Sequence, residues 1–253
     1  MNPAKDEIIA FTVDAEWAHD DVLADVLKIF DDHDIPITLF CTHDGIEPSG
    51  HERALHPNYR NNGDLMRRFF DEHGAVNADV PTMDQFRYVL QHTKEYAPEA
   101  IGVRSHCLLT ESGLLPVYNE LGLEYESGFM MPLTAGISPA MKFYDILELP
   151  IFLNDHAELR MQATGHELSE LKPGAPGLKV FTFHPNIVYL NAPNEEHYEA
   201  SRPHYRDPDA LLSMRHSGRG TRTMLLELLD YTVKTHGRTR TLAELNSEWR
   251  GDM

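Results

Sequence analysis

Residues Phe11 to Trp17 read FTVDAEW, and the fold follows from how that stretch begins and ends. Phe11, Thr12 and Val13 are apolar or β-branched, the kind of residue that fills a buried strand. Asp14 and Glu16 follow two apart, so on extended backbone they point the same way. Carboxylates at the C-terminal end of a strand stand where α/β folds place their chemistry. There they can hold a metal ion and accept a proton. Three further strand-like runs end in the same manner: LFCTHD (Leu39–Asp44), RALHPN (Arg53–Asn58) and VFTFHPN (Val180–Asn186). Each delivers a histidine, and the last two share the tripeptide HPN.

Outward from that stretch, strands are predicted at Glu7–Val13, Ile35–Cys41, Glu52–Leu55, Ala100–Arg104, Leu123–Glu126, Leu147–Phe152 and Lys179–Phe183. Helical patterns lie between and after them. Asp20–His33 carries Val22, Leu23, Val26, Leu27 and Phe30 at helical spacing, with Asp20 or Asp21 as its cap. Leu65–Phe70, Met83–His92 (capped by Thr82), Thr110–Leu121, Arg222–His236 and Thr241–Trp249 (capped by Thr241) follow. The alternation predicts α/β architecture with parallel strands, and about seven strands suggest a barrel rather than an open sheet. No internal repeat or boundary is visible, so residues 1–253 read as one domain. Lys172–Gly177 and Asn191–Pro208 read as loops, the second long enough either to cover an active site or to be a surface excursion.

A formal net charge of −18 over 253 residues disfavours a nucleic-acid backbone or an anionic membrane surface as partner. Cys41 and Cys107 are too few for a disulfide framework and read as small buried apolar side chains. The N-terminus MNPAKDEIIAF has no long apolar run, and no stretch is long enough to span a bilayer, so no membrane insertion and a cytoplasmic location are expected. The oligomeric state is left open, a homo-oligomer included.

FTVDAEW resembles the first motif of the NodB-type polysaccharide deacetylases, in the variant with one residue between the two acids. GHERALHPNY (Gly50–Tyr59) resembles the second motif, GVRSH (Gly102–His106) the Arg-bearing third, LPIFLNDH (Leu149–His156) the fourth and VFTFHPN the fifth. The resemblance implies a distorted (β/α) barrel with the site at the strand C-termini. It also implies metal-dependent removal of an acetyl group from an N-acetylated or O-acetylated sugar, here a surface-polysaccharide precursor. By the same resemblance Asp14 is the base, His184 the general acid, Asp155 the acid that orients His184, and Arg104 the partner of Asp14. Glu16 and His56 match metal ligands of a divalent ion, most readily zinc.

The sequence departs from that pattern twice. Arg60 stands where the family has a second ligand His, and His106 stands where the third motif has Pro. The expected ligand set is therefore Glu16 (or Asp14), His56 and His106. Trp17 and Tyr59 are candidates for stacking on sugar or for core packing. Asn186 is a candidate for bonding substrate or for fixing its loop. Two other readings stand beside the deacetylase: an amidohydrolase on a non-sugar C–N bond without metal, and an inactive carbohydrate-binding relative. The segment SGRGTRTMLLELLDY (Ser217–Tyr231) also offers a helix N-terminus with two arginines, either a phosphate site or a simple N-cap at Thr221.

Overall fold

A computed structural model describes residues 6–74, 82–161, 167–236 and 239–251. Nine strands occur among the described residues: β1 (Glu7–Asp14), β2 (Thr38–Cys41), β3 (Glu52–Leu55), β4 (Gly102–Val103), β5 (Tyr125–Glu126), β6 (Ala140–Met141), β7 (Leu147–Glu148), β8 (Ile151–Asn154) and β9 (Gly177–Phe183). They form one sheet in the order β6-β7-β5-β4-β3-β2-β1-β9-β8. Every adjacent pair is parallel except β6 with β7. Beyond Glu7, β1 is buried throughout, because helices cover the outside of the sheet and the strands across the barrel cover the inside.

The expectation of about seven strands is corrected to nine, for two reasons. β6 is a pair of exposed residues whose sequence shows no strand alternation. The stretch expected as one strand, Leu147–Phe152, is two, because Pro150 has no N–H to continue a ladder. β7 pairs with β5 on one side of the sheet order, and β8 pairs with β9 at the far end of it. Only Leu149 and Pro150 separate them, so the sheet must curl back on itself. Backbone bonds from Leu149 N–H to Glu126 O (2.9 Å) and from Ile151 N–H to Phe129 O (2.8 Å) stitch this seam. The result is a distorted α/β barrel in a single domain.

Capping chemistry sets several helix starts. Thr82 and Gln85 form a reciprocal capping box on Met83–Tyr96, and Thr241 with Glu244 form another on Leu242–Gly251. The helix Asp20–Asp32 is capped by His19, not by the expected Asp20 or Asp21: His19 Nδ1 accepts from the N–H of Asp21 at 3.2 Å. The stretch expected as a loop, Asn191–Pro208, instead carries the helix Glu195–Ser201, capped by Asn194, and the turn Arg202–His204. Between the sheet and the helix Asp20–Asp32, Phe11 stacks on Phe181 (5.7 Å between ring centres) and leans on Phe30 (5.8 Å). No described helix is long and apolar enough to cross a membrane.

Candidate active site

Strand register assembles the site. Val13 lies opposite Phe183, Asp14 opposite Phe40, Cys41 opposite Leu55 and Leu55 opposite Val103. Asp14, His184, His56 and Arg104 are the last residue of a strand or the residue just after it. All four therefore emerge at one edge of the barrel.

Asp14 and Arg104 form a buried pair. Arg104 is fully buried, and its Nη1 donates to Asp14 Oδ1 at 2.7 Å and to Thr12 Oγ1 at 2.8 Å. Its Nε and Nη2 donate to the carbonyl and hydroxyl of Ser127, both at 2.7 Å, and its guanidinium lies 4.1 Å from the centre of the Phe40 ring. A buried cation needs such saturation. Burial pushes the Asp14 carboxyl up, but Arg104, then His56 and His184, outweigh it and hold the group below its ordinary range.

Glu16 reaches the site by a route the strand pattern does not predict. β1 ends at Asp14, and Glu16 and Trp17 both take left-handed backbone angles (φ 50° and 54°). The two carboxylates therefore converge through a turn rather than through strand pleating. The Tyr205 hydroxyl donates to the Glu16 carbonyl at 2.8 Å, and Trp17 N–H donates to Thr42 Oγ1 at 3.3 Å, which fixes the strained turn. Glu16 Oε1 then lies 2.8 Å from His106 Nδ1, 3.5 Å from His56 Nε2 and 3.9 Å from His184 Nε2. Burial pushes the Glu16 carboxyl up, and the adjoining His106 and His56 more than reverse that, holding it well below its ordinary range.

His56 and His106 arrive on linked backbone. His56 N–H donates to Cys41 O and His106 N–H to Pro57 O, both at 2.9 Å. His106 begins a short turn in which Cys107 is left-handed (φ 58°). Burial disfavours the His106 imidazolium, but Cys107 and Glu16 beside it raise its pKa to about 10. Both ring nitrogens of His56 are buried without a hydrogen-bond partner. Leaving such atoms unmade costs about 1–3 kcal/mol each. Donor atoms of Glu16, His56 and His106 all lie within 4.8 Å of one another, and this set of two imidazoles and a carboxylate fits a divalent cation. The orphaned His56 nitrogens are the observation that favours that fit.

His184 is held from behind. Its Nδ1–H donates to Asp155 Oδ1 at 2.5 Å and its backbone N–H to Asp155 Oδ2 at 2.8 Å. That leaves Nε2 facing the cleft, 3.7 Å from Asp14 Oδ2. Burial disfavours the imidazolium, yet the Asp155 carboxylate overrides it, with help from Asp14 and Glu16, and lifts the pKa to about 9.

A cleft of about 880 Å³ opens over these groups. Trp17 lines it, edge-on to His106 at 5.2 Å. Tyr59 and Asn186, each open to two readings in the sequence, lie in the packed interior. Tyr59 is 3% exposed and packs edge-on against Phe86 at 4.9 Å, because the chain after β3 turns its ring into the apolar space beneath the helix Met83–Tyr96. Asn186 is buried and donates from Nδ2 to the Tyr205 carbonyl at 3.0 Å, so it fixes the segment that carries Tyr205 rather than lining the cleft. Cys41 is buried, with its thiol pushed up to about 12 by burial, whereas Cys107 is exposed beside His106. The arginines near Thr221 are already paired, Arg219 with Glu227 and Arg222 with Asp25, which removes the phosphate-site reading.

Sequence reading misses His156, Ser127, Tyr205 and the arginines of the cleft wall. His156, the residue after Asp155, is within sight in LPIFLNDH; its ring stands 5.7 Å from that of His184 and lines the cleft. Ser127 and Tyr205 carry no local signal, since their roles depend on long-range packing.

Residues 11–202 match the polysaccharide deacetylase family described as WbmS-like. Among solved structures, a candidate polysaccharide deacetylase involved in O-antigen biosynthesis, WbmS of Bordetella bronchiseptica, is 27% identical, with a TM-score of 0.75 over 90% of this chain and 91% of that one. A candidate polysaccharide deacetylase from Mycobacterium smegmatis, 17% identical, shares the fold with a TM-score of 0.55 over 98% of this chain and 92% of that one. A comparison with curated proteins returns no match.

Proposed function

The chain belongs to the WbmS-like polysaccharide deacetylase family, and from that premise we propose that it is a metal-dependent hydrolase that removes an acetyl group from an N-acetylated or O-acetylated sugar. The observation that carries this reading is the meeting of two functional pairs, Asp14–Arg104 and His184–Asp155, at the Glu16–His56–His106 cluster. Glu16, His56 and His106 are the residues that would hold the cation, and zinc suits their chemistry. When bound there, a divalent cation polarises the acetyl carbonyl and acidifies the attacking water.

The chain's own residues supply the remaining steps. Asp14, kept anionic by Arg104, takes the proton from the attacking water. The His184 imidazolium, stabilised by Asp155, gives the Nε2 proton to the departing amine or hydroxyl. Trp17 offers an aromatic wall to a sugar ring. The whole chain, residues 1–253, works as one deacetylase-like domain, acting in the cytoplasm on a surface-polysaccharide precursor. The kinship with a protein of O-antigen biosynthesis and the two free cysteines both favour that setting.

The test is acetate release from acetylated sugars by protein loaded with zinc, with and without a chelator. Chelator-sensitive release that is lost in both Asp14→Asn and His184→Ala supports the reading. Release that is indifferent to chelation would remove the metal from it, and a well-folded protein releasing no acetate from any acetylated sugar would remove the activity.

A further inference from the structure

The cleft over Asp14 and Glu16 is basic although the protein is acidic. The chain has 22 Lys and Arg against 40 Asp and Glu. Apart from Asp14 and Glu16, the cleft is lined by Arg60, Arg160, Arg202 and Arg206 against the single acid Asp64. These arginines come from separate parts of the chain: the loop after β3, the helix Asp155–Met161 and the segment that follows Glu195–Ser201. All four are Arg and none is Lys. The planar guanidinium presents forked N–H groups that match a carboxylate or phosphate two bonds at a time.

Their pairing separates them. Asp64 is bound to Arg67, Arg160 lies 3.2 Å from Glu195, and Arg202 lies 2.7 Å from Glu199. Arg60 and Arg206 have no ion pair or side-chain hydrogen bond among the described residues. Two unpaired guanidinium groups on one cleft give it a local positive field inside a chain whose net charge of −18 would otherwise repel an anion.

We infer that the sugar bound here carries an anionic group, a phosphate or a carboxylate, held by Arg60 and Arg206. This rests on the deacetylase reading of the same cleft and narrows its substrate class. It also gives a role to Arg60 at a position where a histidine ligand was expected. Both residues are exposed, so in the free protein water solvates their guanidinium groups, and an anion on the sugar would take the place of that water.

Equilibrium titration of the full, zinc-loaded chain with three probes tests the inference: N-acetylglucosamine 1-phosphate, N-acetylglucosaminuronic acid and N-acetylglucosamine. At least one anionic probe is expected to bind about tenfold or more tightly than the neutral one, with the preference weakening as salt is raised. Arg60→Ala and Arg206→Ala each lower that preference severalfold, and the double variant abolishes it. Arg87→Ala, whose partner Glu120 lies outside the cleft lining, does not alter it. A stronger preference for the 1-phosphate identifies a phosphate on the substrate, and a stronger preference for the uronate identifies a carboxylate. The inference is overturned if neither anionic probe is preferred, or if the Arg60→Ala/Arg206→Ala double variant keeps the preference. Because sugar binding and acetate release are measured separately, the two readings fail separately. Arginine-dependent anion binding without acetate release leaves this inference standing and removes the deacetylase reading. Undiminished deacetylation of every probe by the double variant does the reverse.

Discussion

A single carboxylate, Asp155, grips His184 twice, through the ring at 2.5 Å and through the backbone N–H at 2.8 Å. The ring is thereby locked in the tautomer that turns Nε2 to the cleft, and the strand end is locked with it. Asp155→Asn keeps the shape but not the charge. In the metal-free protein, the His184 ring is expected to titrate far below its present value of about 9, toward the ordinary histidine value of about 6.5. Under the proposed mechanism turnover needs the protonated ring and is lost as pH rises through the folded pKa, so the alkaline limb of the rate profile is expected to move to lower pH. With a pKa near 6.5, roughly a quarter of the rings stay protonated at pH 7, so kcat near neutrality falls about fourfold from this cause, far less than the roughly 10²–10⁴-fold loss expected of His184→Ala. NMR titration of the ring and a pH–rate profile check both parts. An unmoved limb would contradict the assignment of His184.

Arg104 has a stability role that can be separated from catalysis. Arg104→Met strands Asp14 as a buried carboxylate, at a cost of about 3–5 kcal/mol. Adding Asp14→Asn removes the stranded charge and is expected to recover a large part of the loss. Arg104→Lys does not rescue, because one ammonium cannot serve Thr12, Asp14 and Ser127 together. Urea denaturation of the single and double variants gives the comparison, and additive losses would contradict it.

The cation cluster makes a compositional prediction. Protein purified without chelator and supplied with zinc should hold about one ion per chain by mass spectrometry. His56→Ala and His106→Ala should each lower zinc affinity by about 100-fold or more while far-ultraviolet circular dichroism stays unchanged. His156→Ala, which removes a cleft residue outside the cluster, should leave zinc content as it was. Equal zinc binding by wild type and His56→Ala would remove His56 from the ligand set.

A second carboxylate group, Glu126 with Glu148 around Lys142, ties stability to pH. Burial, then the neighbouring Glu148, raises the Glu126 pKa to about 7, above the ordinary 4.5, although Lys142 pulls the other way. The folded state therefore holds this proton more tightly than the unfolded state. That contribution is complete below about pH 4.5 and declines as pH rises toward 7. Glu126→Gln should flatten this decline and raise the melting temperature at pH 8, measured by differential scanning calorimetry. An identical pH dependence in the variant would contradict it.

The sequence reveals some of this site and hides the rest for identifiable reasons. Parallel strands bring their C-terminal ends together, so Asp14, His56, Arg104 and His184 at the ends of apolar runs are legible as neighbours from residue order alone. The left-handed turns at Glu16–Trp17 and Cys107 leave no such trace, because no glycine or asparagine marks them. Tyr59 is ambiguous in sequence for a related cause: one residue of turning after β3 separates a cleft wall from the core. The splitting of Leu147–Phe152 hides behind a mostly apolar run interrupted by Glu148, with Pro150 as the visible sign of the break. The helix Glu195–Ser201 hides in a polar composition, since its stability comes from a cap at Asn194 and the packing of Tyr198 rather than from an amphipathic stripe.

The pairing of β1 with β9 has a consequence for synthesis. β1 leaves the ribosome well over a hundred residues ahead of Gly177–Phe183, the partner for one of its edges. At ordinary elongation speeds the strand bearing Asp14 waits roughly ten seconds or more with an open edge before the strand leading to His184 can dock. Nascent chains halted before Gly177 should therefore be chaperone-bound and prone to aggregate, and Asp14 and His184 cannot meet before His184 has left the ribosomal tunnel.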